Sequence, residues 1–569
     1  MRLKRKGMKV LALTLGLSLV AAACGDDDDT GGGSTDNGSD TTVAEGDLAQ
    51  GGEIVDLAAF AGGPAEHIDP RINTTSAGWQ IGGSLYDGLT EADYSDPDQT
   101  EIRGMVAESW ESNDDATEWT FQLRDELYFS DGEQVLPSSF VRGWESASDP
   151  DFAGDYSYLF NFIEGGAEKL AGEADTLSGV EADDEAMTLT VRLSEPYSSF
   201  PYVAGFQLFM PMPSAIDELD DQSDWENGEM IGNGPFMLDG PRTDTEVVLV
   251  PNPEWDGTKY DAELELPAQP YLEKITFRVS GDVDVAYNAF EAGEGDITAF
   301  PSGRYQEAQD NYATTIDTPF LGIYYFHINQ EDPRVGGPEN EKLRKAISLA
   351  INREEINEAV YEGGREPAAG IVPQGVAGWE EDICEFCSYD PEQAETLFQE
   401  WQDEGGSLDE PLPIQLNAGF GHEDVVNIIV DNLSAVGIDA VSEPMDSETY
   451  FGQLAEGACI VCRAGWLADY PTYDNFMYDL FHSDSLGGNN YGYSNSEFDD
   501  LIKQAKSTTD EDEAQDLFRQ AERILLNEDM GAIPIVYYKG TLVYNGDKIA
   551  QLTEEPTGHV IWEKVALKA

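Results

Sequence analysis

Residues 465–471 read Gly-Trp-Leu-Ala-Asp-Tyr-Pro, a run that sets one carboxylate, Asp469, between two aromatic side chains and directly ahead of a proline turn. On the residues alone the acid has two readings. It caps the turn before Pro471, or it is held for a charged donor in a place poor in water, where low dielectric strengthens such a pair. Trp466, three positions earlier, is either core or an apolar wall beside that acid. Just upstream, Cys459-Ile460-Val461-Cys462 looks like part of a strand, and downstream Asn489, Asn490 and Tyr491 form a polar loop.

The chain has five cysteines, and four of them form two C-x-x-C pairs, Cys384/Cys387 and Cys459/Cys462. A thiolate zinc site is one reading. Structural disulfides are the expected one, because an exported chain matures in an oxidising compartment. Residues three apart on a strand point to opposite faces. A bridge within 459–462 is therefore awkward, and pairing with the other motif stays open. No thioredoxin-like strand precedes Cys384, which disfavours a redox-active pair.

The fifth cysteine, Cys24, follows Arg2, Lys4, Arg5, Lys6 and Lys9, an apolar run over 10–20, and Ala21-Ala22-Ala23. This is the layout of a secretory signal over 1–23. A cysteine just after the cut looks like the lipid acceptor of a bacterial lipoprotein, although that pattern prefers Leu where Ala21 stands. Residues 24–51 are mostly Gly, Ser, Thr, Asp and Asn, with almost nothing to bury and no Lys or Arg. They cannot offset their own ordering entropy and are expected to be a disordered linker. The expected location is the extracytoplasmic face of the cell membrane, lipid-anchored.

Lys plus Arg number 31 against 112 Asp plus Glu, a net charge of -81. Nucleic acid is excluded as a partner, since clusters that could displace counterions are lacking. The acid is read as a hydrated surface that keeps the chain soluble. No G-x-S-x-G, H-E-x-x-H or P-loop pattern occurs. The five histidines are scattered with no pair at a helical ligand spacing. No catalytic residue, metal or cofactor is expected.

Alternation predicts strands over 118–124, 187–193, 247–250 and 274–279, and an aromatic, buried strand over 321–328. Late strands are expected over 533–538 and 541–544. Residues 105–110 read as a short helix or turn. Ser138 is read as the cap of a helix, and 342–360 as one long amphipathic helix. Asp390-Pro391-Glu392-Gln393 carries a cap, a first-turn proline and a Gln that can reach back. Helices are also expected over 283–292, 425–436, 496–505 and 513–526. Mixed strands and helices without a solenoid repeat make an α/β chain of more than one lobe.

Six blocks, in order, resemble the family 5 extracellular solute-binding proteins, the oligopeptide- and dipeptide-binding components of ABC importers. They are 105–110 with 119–124 and 129–133, then 231–236, 252–255, 290–297, 343–353 and 465–471. The resemblance implies a two-lobed periplasmic-binding-protein-like clamp of class II with an extra domain packed on the first lobe. Lobe I would take 52–95, 225–318 and 536–569, the extra domain 96–224, and lobe II 319–535. Ligand would sit between the lobes and be buried by hinge closure, for delivery to a membrane permease. Asp469 would pair with the α-ammonium of a short peptide, Trp466 would wall the site, and Asn489, Asn490 and Tyr491 would be further contacts. Family members for sugar oligomers, metal complexes and opines leave a non-peptide solute as the alternative. An extracytoplasmic hydrolase, a structural surface lipoprotein and a sensory binding protein are remoter ones. A monomer is expected.

Overall fold

The computed structural model describes residues 48–94, 100–228, 230–301, 303–419, 421–485 and 491–569. The signal, Cys24 and most of the linker lie outside the described residues, as do Asn489 and Asn490.

Two large sheets organise the chain. A seven-stranded sheet has the order Ala313–Thr314, Leu542–Tyr544, Ile297–Ala299, Glu53–Asp56, Lys274–Arg278, Glu246–Pro251, Phe236–Leu238. A six-stranded sheet has the order Glu366–Pro367, Ala532–Lys539, Pro319–Ile328, Val461–Leu467, Leu412–Asn417, Ala440–Met445. Pro319–Ile328 is central and paired on both sides. Both its faces are covered, so it reads as a continuous apolar run rather than an alternating one. The chain passes between the two sheets twice, from Thr314 to Pro319 and from Lys539 to Leu542. Two adjacent short crossings are what a two-lobed clamp uses as its hinge.

A four-stranded antiparallel sheet, Ala107–Ser112, Glu118–Leu123, Thr188–Arg192 and Val180–Asp183, forms the third body. Glu118–Leu123 alternates half-buried and buried residues, with Trp119, Phe121 and Leu123 facing one core. That is the period-2 signature of a sheet covered on one face. Tyr470, from the 465–471 run, is buried in this same core.

Several expectations are corrected. Residues 107–112 are a strand, because Trp110 pairs directly opposite Phe121 and the cross-strand contact outweighs a local helical reading. The helix Pro137–Ala147 starts one residue before Ser138, and Ser139 accepts the Leu136 N–H at 3.2 Å. The long helix over 342–360 is two, Glu341–Ala350 and Arg353–Tyr361. Ile351 turns extended, and the Asn352 side chain caps the second helix by accepting from the Glu355 N–H at 3.1 Å. Asp390 caps Pro391–Asp403 through the Gln393 N–H at 2.9 Å.

Two boundaries move as well. Ala532–Lys539 is one strand hydrogen-bonded to Pro319–Ile328, so it cannot be divided between lobes at 535/536. Leu48–Ala49 pairs with Ala566–Lys568, so ordered chain begins before residue 52. Met210, Met212 and Ile216 pack in the core of the seven-stranded sheet, with Ile54, Phe236 and Ile275.

The disulfides are Cys384–Cys387 and Cys459–Cys462, each within its own motif. The objection to the second bridge fails because Cys459 lies before the strand, which begins at Val461. Facing rules for strands do not bind a residue in the preceding turn. Cys459 and Cys462 pack against Tyr450 in a small core of their own. Among the described residues no cluster of His, Cys, Asp or Glu is arranged to hold a metal ion. Among them too, no helix is long and apolar enough to cross a membrane.

Candidate ligand site

The run 465–471 lines one wall of a cavity of about 340 Å³. Trp79, Tyr86 and His559 face it from the body of the seven-stranded sheet, and Tyr156 and Phe206 from the four-stranded body. The mixture of aromatic walls and a few polar groups is typical of small-molecule sites.

Asn475, fully buried, organises the wall. Its Oδ1 accepts from Trp466 Nε1 at 2.9 Å and from the Asp469 N–H at 3.1 Å. Its Nδ2 donates to Asp479 Oδ2 at 2.9 Å and, at a long 3.5 Å, to Asp469 Oδ2. Tyr156 Oη donates to Asp469 Oδ1 at 2.8 Å. Thr472 stands at the N-cap position of the helix that follows, Tyr473–Phe481, without a side-chain cap bond. The Asp469 carboxylate takes its hydrogen bonds from the Tyr156 and Asn475 side chains and not from the backbone of the turn before Pro471. No ion pair to its carboxylate occurs among the described residues. Burial pushes Asp469 up to about 6, against the lowering pull of Tyr156 and Asn475.

Behind this wall the six-stranded lobe meets the four-stranded body through polar contacts. Tyr197 donates to Asp474 across this contact, and on the lobe side Tyr470 Oη donates to Asp479 Oδ2 at 2.8 Å. Lys506, 8% exposed, sets its Nζ 3.9 Å from the Tyr478 ring centre and 4.1 Å from that of Tyr197.

The far side of the cavity carries Asp87, Glu91, Glu555 and Glu563, while no Lys or Arg among the described residues lines it. Burial, then repulsion from Glu555 and Glu563, holds Glu91 well above the usual carboxylate range. Burial, then Glu563, pushes Glu555 up to about 8. Asp87 rises to about 7 by burial, although Trp255 Nε1 at 2.9 Å and Tyr260 Oη at 2.5 Å donate to it. His559 stacks obliquely on Trp79 at 5.6 Å, and burial lowers it to about 4, so it is neutral. A cavity of this kind favours a cation.

These raised values link stability to pH. Between the ordinary carboxylate range and about pH 8, the folded chain holds protons that the unfolded chain has released, so stability falls as pH rises. The contribution is complete below that range and is lost as Asp469, Asp87 and Glu555 pass about 6, about 7 and about 8. The ligand-free protein is expected to melt several degrees lower at about pH 8 than at about pH 5. High salt, which screens general self-repulsion, should leave that difference standing. Equal melting temperatures in high salt would mean that the carboxylates are hydrated.

Of the residues singled out in the sequence, Asp469 and Trp466 line the cavity together. Tyr491 does not; it is 7% exposed and packs on the His327 ring at 4.0 Å. Trp79, Tyr156, Glu91 and Glu555 were not legible as site residues. Tyr156 and Asp469 are 313 positions apart, and each acid is one of 112 Asp and Glu.

Comparison with known proteins agrees with this architecture. The family profile described as "Bacterial extracellular solute-binding proteins, family 5 Middle" matches residues 101–488. The chain is 28% identical over 490 residues to the periplasmic oligopeptide-binding protein OppA of Escherichia coli, covering 84% of this chain and 86% of that protein. It is 25% identical over 506 residues to the dipeptide-binding protein DppE of Bacillus subtilis, covering 87% and 88%. The solved structure of the Escherichia coli murein tripeptide binding protein MppA superposes with a TM-score of 0.71 at 26% identity, covering 92% of this chain and 99% of that one. With two sheets joined by a double crossing and a profile match through the 465–471 run, this chain belongs to the family 5 bacterial extracellular solute-binding proteins.

Proposed function

We propose that the protein captures short peptides between its two lobes and delivers them to an ABC permease for import. The observation that carries this reading is Asp469, a carboxylate on the cavity wall without a cationic partner among the described residues. A peptide α-ammonium supplies that partner, and in a desolvated site such a pair is strong. Trp466 and Phe206 offer apolar surface to the rest of the ligand. Relatives at 25–28% identity are named for oligopeptides, dipeptides and murein peptides, which supports a peptide over a sugar oligomer, metal complex or opine. Asn489 and Asn490, which follow the 465–471 wall in sequence, are further candidate contacts.

Binding is the whole activity in this reading, with no bond made or broken. Calorimetry of the purified chain with di- to pentapeptides is expected to give saturable heat. Heat with xylo- or cello-oligosaccharides and none with any peptide would overturn the assignment. The chain is held at the membrane by lipid on Cys24, which keeps the trap near its permease and raises the encounter concentration. Replacing Cys24 by Ala is expected to release the protein from the membrane fraction, and retention would refute the anchor.

A further inference from the structure

A second, smaller cavity of about 250 Å³ adjoins the first, and Ser76 and Leu467 line both. It lies against the crossing segments between the lobes, with Thr541 and Leu542 on one side and Phe320 on the other. Among the described residues two carboxylates face it, Asp56 and Glu554, and no Lys or Arg does. Asp56 is 2% exposed, and its Oδ1 accepts from the Ala59 N–H at 2.8 Å. Glu554 is 7% exposed, with the Thr315 hydroxyl beside it as a side-chain donor, and among the described residues it has no cationic partner.

Two buried carboxylates side by side without a cation are expensive. Burial pushes Glu554 up to about 8 against the lowering pull of Thr315, and the neighbouring Asp56, itself raised to about 7 by burial, adds to the rise. Apolar Ala77, Phe320, Leu467 and Val560 share the lining with the two acids and with Ser76, Gln80 and Thr541. A cavity that combines apolar walls with two acids matches a long basic side chain, whose methylenes lie on apolar surface while its charged head meets the acids.

Resting on the peptide reading of the larger cavity, we propose that the smaller cavity is a specificity pocket for a lysine or arginine side chain of the bound peptide, with Glu554 and Asp56 as its acceptors. The main cavity alone would hold an α-ammonium and discriminate little among side chains. The added pocket makes the protein selective for basic peptides. Asp56 and Glu554 line the same cavity, and a guanidinium fork or an ammonium with three donors carries enough donors for both.

The test is calorimetry of the full chain with trialanine and with tripeptides that carry lysine, norleucine or glutamate at each position in turn. Norleucine keeps the methylenes and lacks the charge. At one position lysine is expected to bind about tenfold or more tighter than norleucine, the effect of one hydrogen bond to a charged group, and glutamate more weakly than either. Glu554→Gln keeps the shape and is expected to erase the lysine preference while binding the norleucine peptide as the native chain does. If trialanine binds and lysine equals norleucine at every position, the pocket assignment falls and the peptide reading stands. If Glu554→Gln keeps the preference, the assignment to this cavity falls. If no peptide binds, both readings fall together.

Discussion

Asp469→Ala is expected to weaken peptide binding by about 30-fold to about 4,000-fold, the consequence of the 2–5 kcal/mol lost when one partner of a desolvated charge pair is removed. The same change should leave the ligand-free fold intact. The carboxylate is raised to about 6 by burial, so the empty protein gains little from its charge, and Tyr156 at 2.8 Å is the main group that loses an acceptor. Asp469→Asn separates charge from shape, since it keeps the volume and an acceptor oxygen. It is expected to bind nearly as weakly as the Ala variant. Calorimetry with a tight-binding tripeptide reads the affinity, and the melting temperature without ligand reads the fold. Unchanged affinity in both variants would place the amine anchor elsewhere in the cavity, where Glu91, Glu555 and Glu563 are further acids.

Asp69→Ala is expected to destabilise the protein by about 3–5 kcal/mol, the cost of leaving one member of a buried pair uncompensated. Asp69 is 1% exposed and Arg71 is 1% exposed, and their closest approach is 2.6 Å. The guanidinium also donates to Ser146 Oγ at 3.1 Å and Gln222 Oε1 at 2.7 Å, and lies 4.6 Å from the Phe152 ring centre. Asp69 and Arg71 thus tie the segment before the helix Ser76–Leu85 to the neighbouring body, and that helix carries the cavity residues Ser76 and Trp79. Denaturant unfolding measures the loss. Adding Arg71→Met to Asp69→Ala should recover part of it, because the orphaned charge goes with its partner. A loss under about 1 kcal/mol would mean that Arg71 finds water instead.

The elements read correctly in the sequence are those whose signal, a periodicity or a capping residue, is carried within one short run. The Asp390 cap, the alternation over 118–123 and the aromatic run of 321–328 are local patterns, and each stands in the structure. Errors arose where strand pairing or a single side chain overruled the apparent local pattern. Residues 107–112 became a strand because Glu118–Leu123 lies beside them. The break at Asn352 is a single capping side chain inside an otherwise continuous apolar stripe. The Cys459–Cys462 bridge depended on where a strand begins, and boundaries are the weakest part of any pattern reading.

For the site, chemistry that is carried by one short run was legible. Gly465 to Pro471 contains the acid, the indole and the turn, so Asp469 and Trp466 could be named together from their spacing and their family resemblance. What surrounds them was decided by folding. Tyr156, His559 and Glu555 reach the same cavity from other bodies of the protein, and no pattern along the chain distinguishes them from their many equivalents. Among 112 acidic residues, position in the chain does not tell a hydrated carboxylate from one deprived of water. Desolvation is a property of enclosure, which only tertiary packing creates, and it is enclosure that gives Asp469, Glu555 and Glu554 their chemistry.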